Sequence, residues 1–151
     1  MMVRHFSRLI VGALFLVCLS ATARAETKSG PAKLAESKFG PPDDAPMVDM
    51  GKTVKLTAKF YITDFFGSKV ITAGATVKNT GKAPMFYVFN VAFFDKDNHL
   101  LGCASQASFG EQGMKAGEET QLGSLLVMLP ASEIAKVASY QATFYESEHK
   151  L

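Results

Sequence analysis

The sequence predicts an all-β protein, an antiparallel β-sandwich of about six to seven strands with one short helical turn. Three observations predict it. Short apolar or alternating stretches recur between residues 53 and 146, turn-forming residues separate them, and sustained helical periodicity is almost lacking. Short strands at close spacing with turn chemistry between them are typical of a sandwich.

The most apolar stretch is Met85–Asp95, which contains five aromatic residues. Aromatic and β-branched side chains fit a pleated, half-buried surface, so this stretch is predicted to be a strand. Strand alternation places Phe89 and Phe93 on one face and Phe86 and Phe94 on the other. Because both faces are apolar, we expect a central strand that is covered on each side.

The remaining elements follow from alternation and turn residues. Gly74 interrupts the predicted strand Lys69–Lys78 and predicts a bulge or a close backbone approach there. The segment Asp95–His99 is predicted to be a hairpin turn, with Asn98 as the residue that accepts a positive φ. The segment Ala131–Ala138 can form one or two helical turns, with Ser132 as a candidate N-cap. The other predicted strands are Thr53–Thr63, Lys69–Lys78, Leu100–Ala107, Thr120–Leu129 and Ser139–Glu146.

Residues 1–25 have the pattern of a secretory signal peptide. Arg4 and Arg8 precede an apolar run, Leu9–Leu19, and Ala23-Arg24-Ala25 is a small-x-small cleavage site. The apolar run is shorter than the roughly 20 residues that a transmembrane helix needs. We therefore expect a secreted or periplasmic protein that begins near Glu26 and has no membrane association after cleavage. The alternative is an uncleaved anchor.

Residues 26–46 are rich in Pro, Gly, Ser, Lys and Asp and show no sustained apolar period. This composition predicts a flexible tether, followed by the sandwich domain over residues 47–151. Cleavage would leave 13 basic and 14 acidic residues, a net charge of −1, which argues against nucleic-acid binding. Cleavage would also leave Cys103 as the single cysteine, so a disulfide within the mature chain is excluded.

Several strand and turn motifs resemble those of the FxLYD-type domains of exported bacterial proteins. The run Gly74–Thr80 resembles the Gly-x-Val-x-Asn strand of that family, and Val91–Asp95 lies where its Phe-x-Leu-Tyr-Asp motif falls. Asp97-Asn98 stands at its Asp-Gly turn, and Ala116–Glu118 resembles its Pro-Gly-Glu. The resemblance covers about residues 52–146. It implies an immunoglobulin-like sandwich and no common activity.

The sequence contains no phosphate-binding loop, dinucleotide fingerprint, zinc-protease motif or nucleophile elbow. We therefore expect no catalytic residue, no metal ligand set and no cofactor, and a protein that is not an enzyme. The alternative is a small periplasmic copper carrier or thiol protein that uses Cys103, His99 and methionines, which are ligands suited to Cu(I). The ordinary role of a lone cysteine is that of a small buried side chain.

Large apolar residues at a turn are the best indication of a function. Phe65 and Phe66 stand at a predicted turn, and Phe86 and Phe94 line the second face of the aromatic strand. Such residues on a surface indicate a contact site, so we expect a cell-envelope binding or accessory module that contacts an unknown envelope protein. The alternative for Phe65 and Phe66 is that the turn folds under and closes the end of the sandwich.

Overall fold

The computed structural model describes residues 23–108 and 110–151, and in these ranges the chain forms eight strands and one short helix. The all-β prediction is confirmed, with strands where the sequence placed them and two more before residue 53. The strands are β1 (Arg24–Pro31), β2 (Met47–Met50), β3 (Val54–Phe65), β4 (Ser68–Asn79), β5 (Phe86–Phe94), β6 (Leu100–Ala107), β7 (Glu119–Val127) and β8 (Ser139–Ser147), and the helix is α1 (Ala131–Ile134).

The strands form two antiparallel four-stranded sheets. Sheet A has the order β1-β8-β5-β6, and sheet B has the order β2-β3-β4-β7. Strands β3 to β8 reproduce the A, B, C, C′, E, F arrangement of an immunoglobulin sandwich, with A-B-E in one sheet and C′-C-F in the other. Strand β1 lies beside β8, in the place of the G strand, although it comes from the opposite end of the chain.

The core lies between the sheets and follows the period of two in each strand. In β5 the residues Tyr87, Phe89, Val91 and Phe93 are buried, which confirms the predicted inward face. The ring of Phe93 packs edge-on against Phe60 of β3 at a centroid distance of 5.5 Å. Aromatic contacts of this geometry add about 0.5–1.5 kcal/mol beyond the burial of their area, so they fasten the two sheets to each other.

Strand β4 contains the predicted irregularity at Gly74. Its pairing with β7 shifts register between Ala73 and Ala75. A Cβ atom at Gly74 would lie 2.9 Å from Cγ of Pro41, so the position also permits a close approach. Both features expected of this glycine are therefore present.

The structure places residues 26–46 in the fold and corrects the prediction of a tether. Glu26–Pro31 belongs to β1, which pairs with β8 along its whole length. Residues 32–46, here called the strap, bury Ala32 and Ala45 and form a bridge between Glu36 and Ile62. An edge strand is held by backbone hydrogen bonds and the strap by small residues, so neither needs an apolar period.

The folded unit therefore includes residues that were expected to precede the domain at residue 47. Residues 1–22 of the predicted signal peptide lie outside the described residues, whereas Arg24 and Ala25 begin β1. Cleavage before Glu26 remains a prediction. Within residues 23–108 and 110–151, no helix is long and apolar enough to cross a membrane.

The predicted helical turn after β7 is present as α1, within the segment Ala131–Ala138. Helix α1 has Pro130 as its N-cap and no side-chain capping bond, so the prediction of Ser132 as the N-cap is wrong. Its buried residue is Ile134, which anchors the segment to the core.

Candidate contact surfaces

The tip of the β3–β4 hairpin presents a phenylalanine to solvent. Phe65 pairs with Ser68, so two residues, Phe66 and Gly67, make the whole turn. Their φ angles are +49° and +80°, as in a type I′ turn, which normally carries Asn-Gly. The side chain of Phe66 is 95% exposed, and its ring lies edge-on to that of the half-buried Phe65 at 4.7 Å. The alternative, in which this turn folds under and closes the end of the sandwich, is therefore wrong for Phe66.

The backbone of Phe66 is strained as well as exposed. A bulky residue with positive φ is a genuine outlier, and residues held in this region cost of order 1–3 kcal/mol. Positive φ angles at non-glycine residues of the described chain occur at Phe66 and Asn98. Asn98 tolerates this conformation and confirms the prediction for its turn, whereas Phe66 has no such intrinsic preference.

The other two candidate contacts, Phe86 and Phe94, lie at opposite ends of β5 on the outer face of sheet A, the face turned away from sheet B. Phe86 is 8% exposed, because the loop at Gly113 crosses it: a Cβ at Gly113 would be 3.3 Å from its ring. Phe94 is half-buried. The structure therefore does not bring Phe65, Phe66, Phe86 and Phe94 into one site, and Phe86 is not available to a partner.

The outer face of sheet A shows a feature that was missed in the sequence. Along β1, β5, β6 and β8 the outward positions carry uncharged side chains, polar or apolar, and, within this described sheet, no charged one. The outer face of sheet B differs, with Asp49, Lys55, Lys59, Lys78 and Glu119 along its strands. The pattern is hidden in the sequence because the sheet combines three separate parts of the chain, β1, the β5–β6 hairpin and β8. In addition, the composition of residues 26–46 predicts a tether and not a strand.

Two carboxylates join the sheets at one end of the sandwich. Glu146 of β8 is 4% exposed and accepts hydrogen bonds from the backbone N–H groups of Lys52, Thr53 and Val54, at 2.6–3.2 Å. The carboxylate of Glu26 in β1 accepts a hydrogen bond from the backbone N–H of Gly51 at 2.7 Å, and this bond is the main reason why the pKa of Glu26 is lowered. This carboxylate clamp serves the fold, because the segment that enters β3 already occupies its oxygen atoms.

The proposed thiol and copper residues are spread over the molecule. Cys103 is exposed on β6 rather than buried, and His99 is exposed in the turn before it. The β5–β6 register shifts between Phe93 and Phe94, which separates the two side chains along the ladder. Three of the mature-chain methionines, Met50, Met85 and Met114, are buried, and two, Met47 and Met128, are exposed.

The closest grouping of ligand atoms in the described chain is at the β5–β6 turn. Ligand atoms of Asp95, Asp97 and His99 all lie within 4.8 Å of one another. Oδ1 of Asp95 accepts hydrogen bonds from the backbone N–H groups of His99 and Asp97, at 2.9 and 2.8 Å. Its second carboxylate oxygen, Oδ2, lies 3.1 Å from Nδ1 of His99. These bonds lower the pKa of Asp95, with the His99 backbone bond as the largest cause. These hydrogen bonds account for the shape of the turn itself and do not require an ion.

A cavity of about 510 Å³ lies between the strap and α1. Its floor is apolar, with Leu34, Ile62 and Ile134, and its rim carries the ion pair of Lys69 with Glu36 at 2.6 Å. It is a wide groove at the surface. Glu36 and Lys69 pair with each other, so the groove offers no convergent set of polar atoms for a small ligand.

Comparison with known proteins gives no family. No family profile matches the chain, and no curated protein sequence matches it. A chain from a structure of infectious bursal disease virus Gx strain is 15% identical, with a TM-score of 0.39; the match covers 85% of this chain and 28% of the viral one. A likeness of this extent carries no argument about fold or function.

Proposed function

We propose that the protein is an exported cell-envelope binding module that acts by protein–protein contact, without catalysis, and that Phe66 is its anchor. The observation that carries the proposal is the fully exposed Phe66 ring on a strained two-residue turn. Strain at an exposed position is retained where function requires it, because the fold gains nothing from it.

The size of the effect is set by the ring. Moving a phenylalanine from water into an apolar pocket contributes about 2–3 kcal/mol, which corresponds to about a 30- to 150-fold change in Kd. The hairpin holds the ring at the end of two paired strands, so little conformational entropy is lost when it binds. A single preordered aromatic anchor is typical of the centre of a protein interface.

Export and family membership are parts of the same proposal. Export is supported by the signal-peptide pattern of residues 1–25, and the resemblance to FxLYD-type domains agrees with a sandwich exported to the envelope. The immunoglobulin-like strand order is compatible with that resemblance, although many unrelated functions use this architecture.

The second candidate function, a copper carrier or thiol protein, is favoured by one observation, the exposed side chain of Cys103. The burial of Met50, Met85 and Met114 speaks against it, since buried core residues cannot take up an ion without rearrangement. Titration of the mature protein with Cu(I) separates the two. Tight stoichiometric binding that is lost in both Cys103→Ala and His99→Ala would replace the contact proposal.

Site-specific photo-crosslinking tests the contact proposal. A photoreactive phenylalanine analogue is placed at Phe66 in one strain and at Phe39 in another, because Phe39 is 99% exposed on the strap and serves as a matched control. We expect a discrete protein adduct from position 66 that is absent from position 39. The identified partner should then bind the Phe66→Ala variant about 30- to 150-fold more weakly. Equal adducts at both positions, adducts to lipid alone, or unchanged affinity would contradict the proposal.

A further inference from the structure

We propose that the outer face of sheet A is a self-association surface, on which two copies of the chain pack face to face. The face is defined by the outward residues of its four strands. In the mature chain, and apart from the buried Phe86 and Ser147, they are Thr27, Ser29 and Pro31 of β1, Ser139, Gln141, Thr143 and Tyr145 of β8, Val88, Asn90, Ala92 and Phe94 of β5, and Cys103, Ser105 and Ala107 of β6. This surface is separate from Phe66, which belongs to sheet B.

The lack of charge distinguishes this face from an ordinary solvated sheet surface. Its central rows run Thr27–Thr143–Asn90–Ser105 and Ser29–Gln141–Ala92–Cys103 across the four strands. Solvated faces of antiparallel sheets usually carry charged side chains, as the outer face of sheet B does in this protein. Interface cores, in contrast, are depleted in charged residues.

A second copy is the occupant that this chemistry favours. In a two-fold interface the same patch meets itself, so any charge near the axis would face its own copy. The polar side chains of this face are Ser, Thr, Asn, Gln and Tyr, and each of these can both donate and accept a hydrogen bond. Such groups can pair with their own copies, whereas Lys or Asp cannot. The face is therefore complementary to itself.

The available area fits a weak dimer. Strands of eight residues at about 3.3 Å per residue, in four rows about 4.8 Å apart, present about 500 Å² per copy. The total of about 1,000 Å² is at the lower limit for a specific interface and below the roughly 1,600 Å² of a standard one. We therefore expect a dimer that forms at micromolar or higher concentrations.

Sedimentation of the mature protein under reducing conditions, over a range of concentrations, tests the proposal. Wild type should show a reversible monomer–dimer equilibrium. Gln141→Lys introduces a charge beside the centre of the face and should weaken the dimer at least tenfold, since the two lysines would lie near each other across the two-fold axis and repel. Gln121→Lys is the matched control, because Gln121 is equally exposed on β7 of sheet B, and it should leave the equilibrium unchanged.

Two further measurements distinguish a loss of association from misfolding of a variant. Mixing Gln141→Lys with Gln141→Glu should restore association, because opposite charges then face each other across the axis. Alkylation of Cys103 in the wild type should slow as the concentration rises, since the thiol lies on the covered face. A wild type that stays monomeric at every concentration, or equal effects of the two lysine variants, would overturn the proposal. Neither result bears on the crosslinking at Phe66.

Discussion

Replacing the buried Glu146 by glutamine removes one of the two charges of the carboxylate clamp with little change of shape. In the native protein one oxygen lies 2.6 Å from the N–H nitrogen of Val54 and 2.9 Å from that of Thr53, and the other is 3.1 Å from that of Lys52. An amide can keep its oxygen on Val54 and Thr53. Its NH₂ group must then face the N–H of Lys52, donor against donor.

The magnitude follows from these bonds. A hydrogen bond to a charged group contributes about 1.5–3 kcal/mol and a neutral one about 0.5–1.5, so the two retained bonds lose about 1 kcal/mol each. The bond to Lys52, which is also a bond to a charged group, is lost altogether, for about 2 kcal/mol more. We expect Glu146→Gln to lower the free energy of unfolding by about 4 kcal/mol, a large part of the 5–15 kcal/mol of a typical domain.

Urea unfolding measures the loss. With a slope of about 2 kcal/mol per molar urea, the midpoint should fall by about 2 M while the slope stays constant. Glu148→Gln makes the same chemical change at an exposed position beyond the end of β8, and should stay within about 0.5 kcal/mol of wild type. Equal midpoints for the two variants would show that the clamp does not hold the sheets together, and the reasoning would be refuted.

Four further outcomes are expected from the same unfolding assay. Phe89→Ala should cost about 3–5 kcal/mol because Phe89 is fully buried, whereas Phe94→Ala should cost clearly less, and equal losses would show that the outer face is a second core. Phe66→Asn should stabilise the protein by about 1 kcal/mol, because relief of the positive-φ strain exceeds the loss of an exposed ring contact; a destabilised variant would remove the strain argument. A chain that begins at Val48 lacks β1 and should melt at a clearly lower temperature than the chain from Glu26, and an unchanged melting temperature would mean that β1 is dispensable. Because the pKa of Glu26 is lowered from 4.5 in the folded protein, the ionised carboxylate stabilises the fold above that pH, and this stabilisation is lost as the pH falls through the lower pKa of the folded state. Glu26→Gln should therefore flatten the dependence of the unfolding free energy on pH below about pH 4.5. Parallel pH profiles for the variant and the wild type would contradict this.

The inner half of the sandwich could be predicted because it is encoded in side chains. Alternation in β5 identified Phe89 and Phe93 as core residues, and alternation in β3 did the same for Leu56 and Phe60. Burial against one opposing sheet requires apolar residues at every second position, so the period is visible in the sequence alone. The same logic overestimated the outer face of β5, where Val88, Ala92 and Phe94 are half-buried and Phe86 is buried only by the loop at Gly113.

Strand β1 could not be predicted because its residues carry little of its stability. Its inward positions are Glu26, Lys28 and Gly30, which have no apolar period, and its pairing with β8 spans more than a hundred residues of sequence. Backbone hydrogen bonds are available to any sequence, so they leave no compositional signal. The carboxylate clamp could not be predicted for a related reason. Glu146 accepts hydrogen bonds from backbone N–H groups that lie more than ninety positions earlier in the sequence, and backbone donors leave no signal in the side chains.

The two proposed surfaces belong to different sheets, and this arrangement has a consequence for binding. Phe66 ends a hairpin of sheet B, whereas the self-association face is the outer side of sheet A, so one surface can be occupied without covering the other. A dimer through sheet A would therefore present two Phe66 rings. When two modules are linked, the second contact becomes intramolecular and overall affinity can rise by about 10²–10⁴ where the geometry allows both. A single aromatic anchor worth about 2–3 kcal/mol is too weak by itself for a lasting contact, and pairing through an uncharged face is a way to make it sufficient.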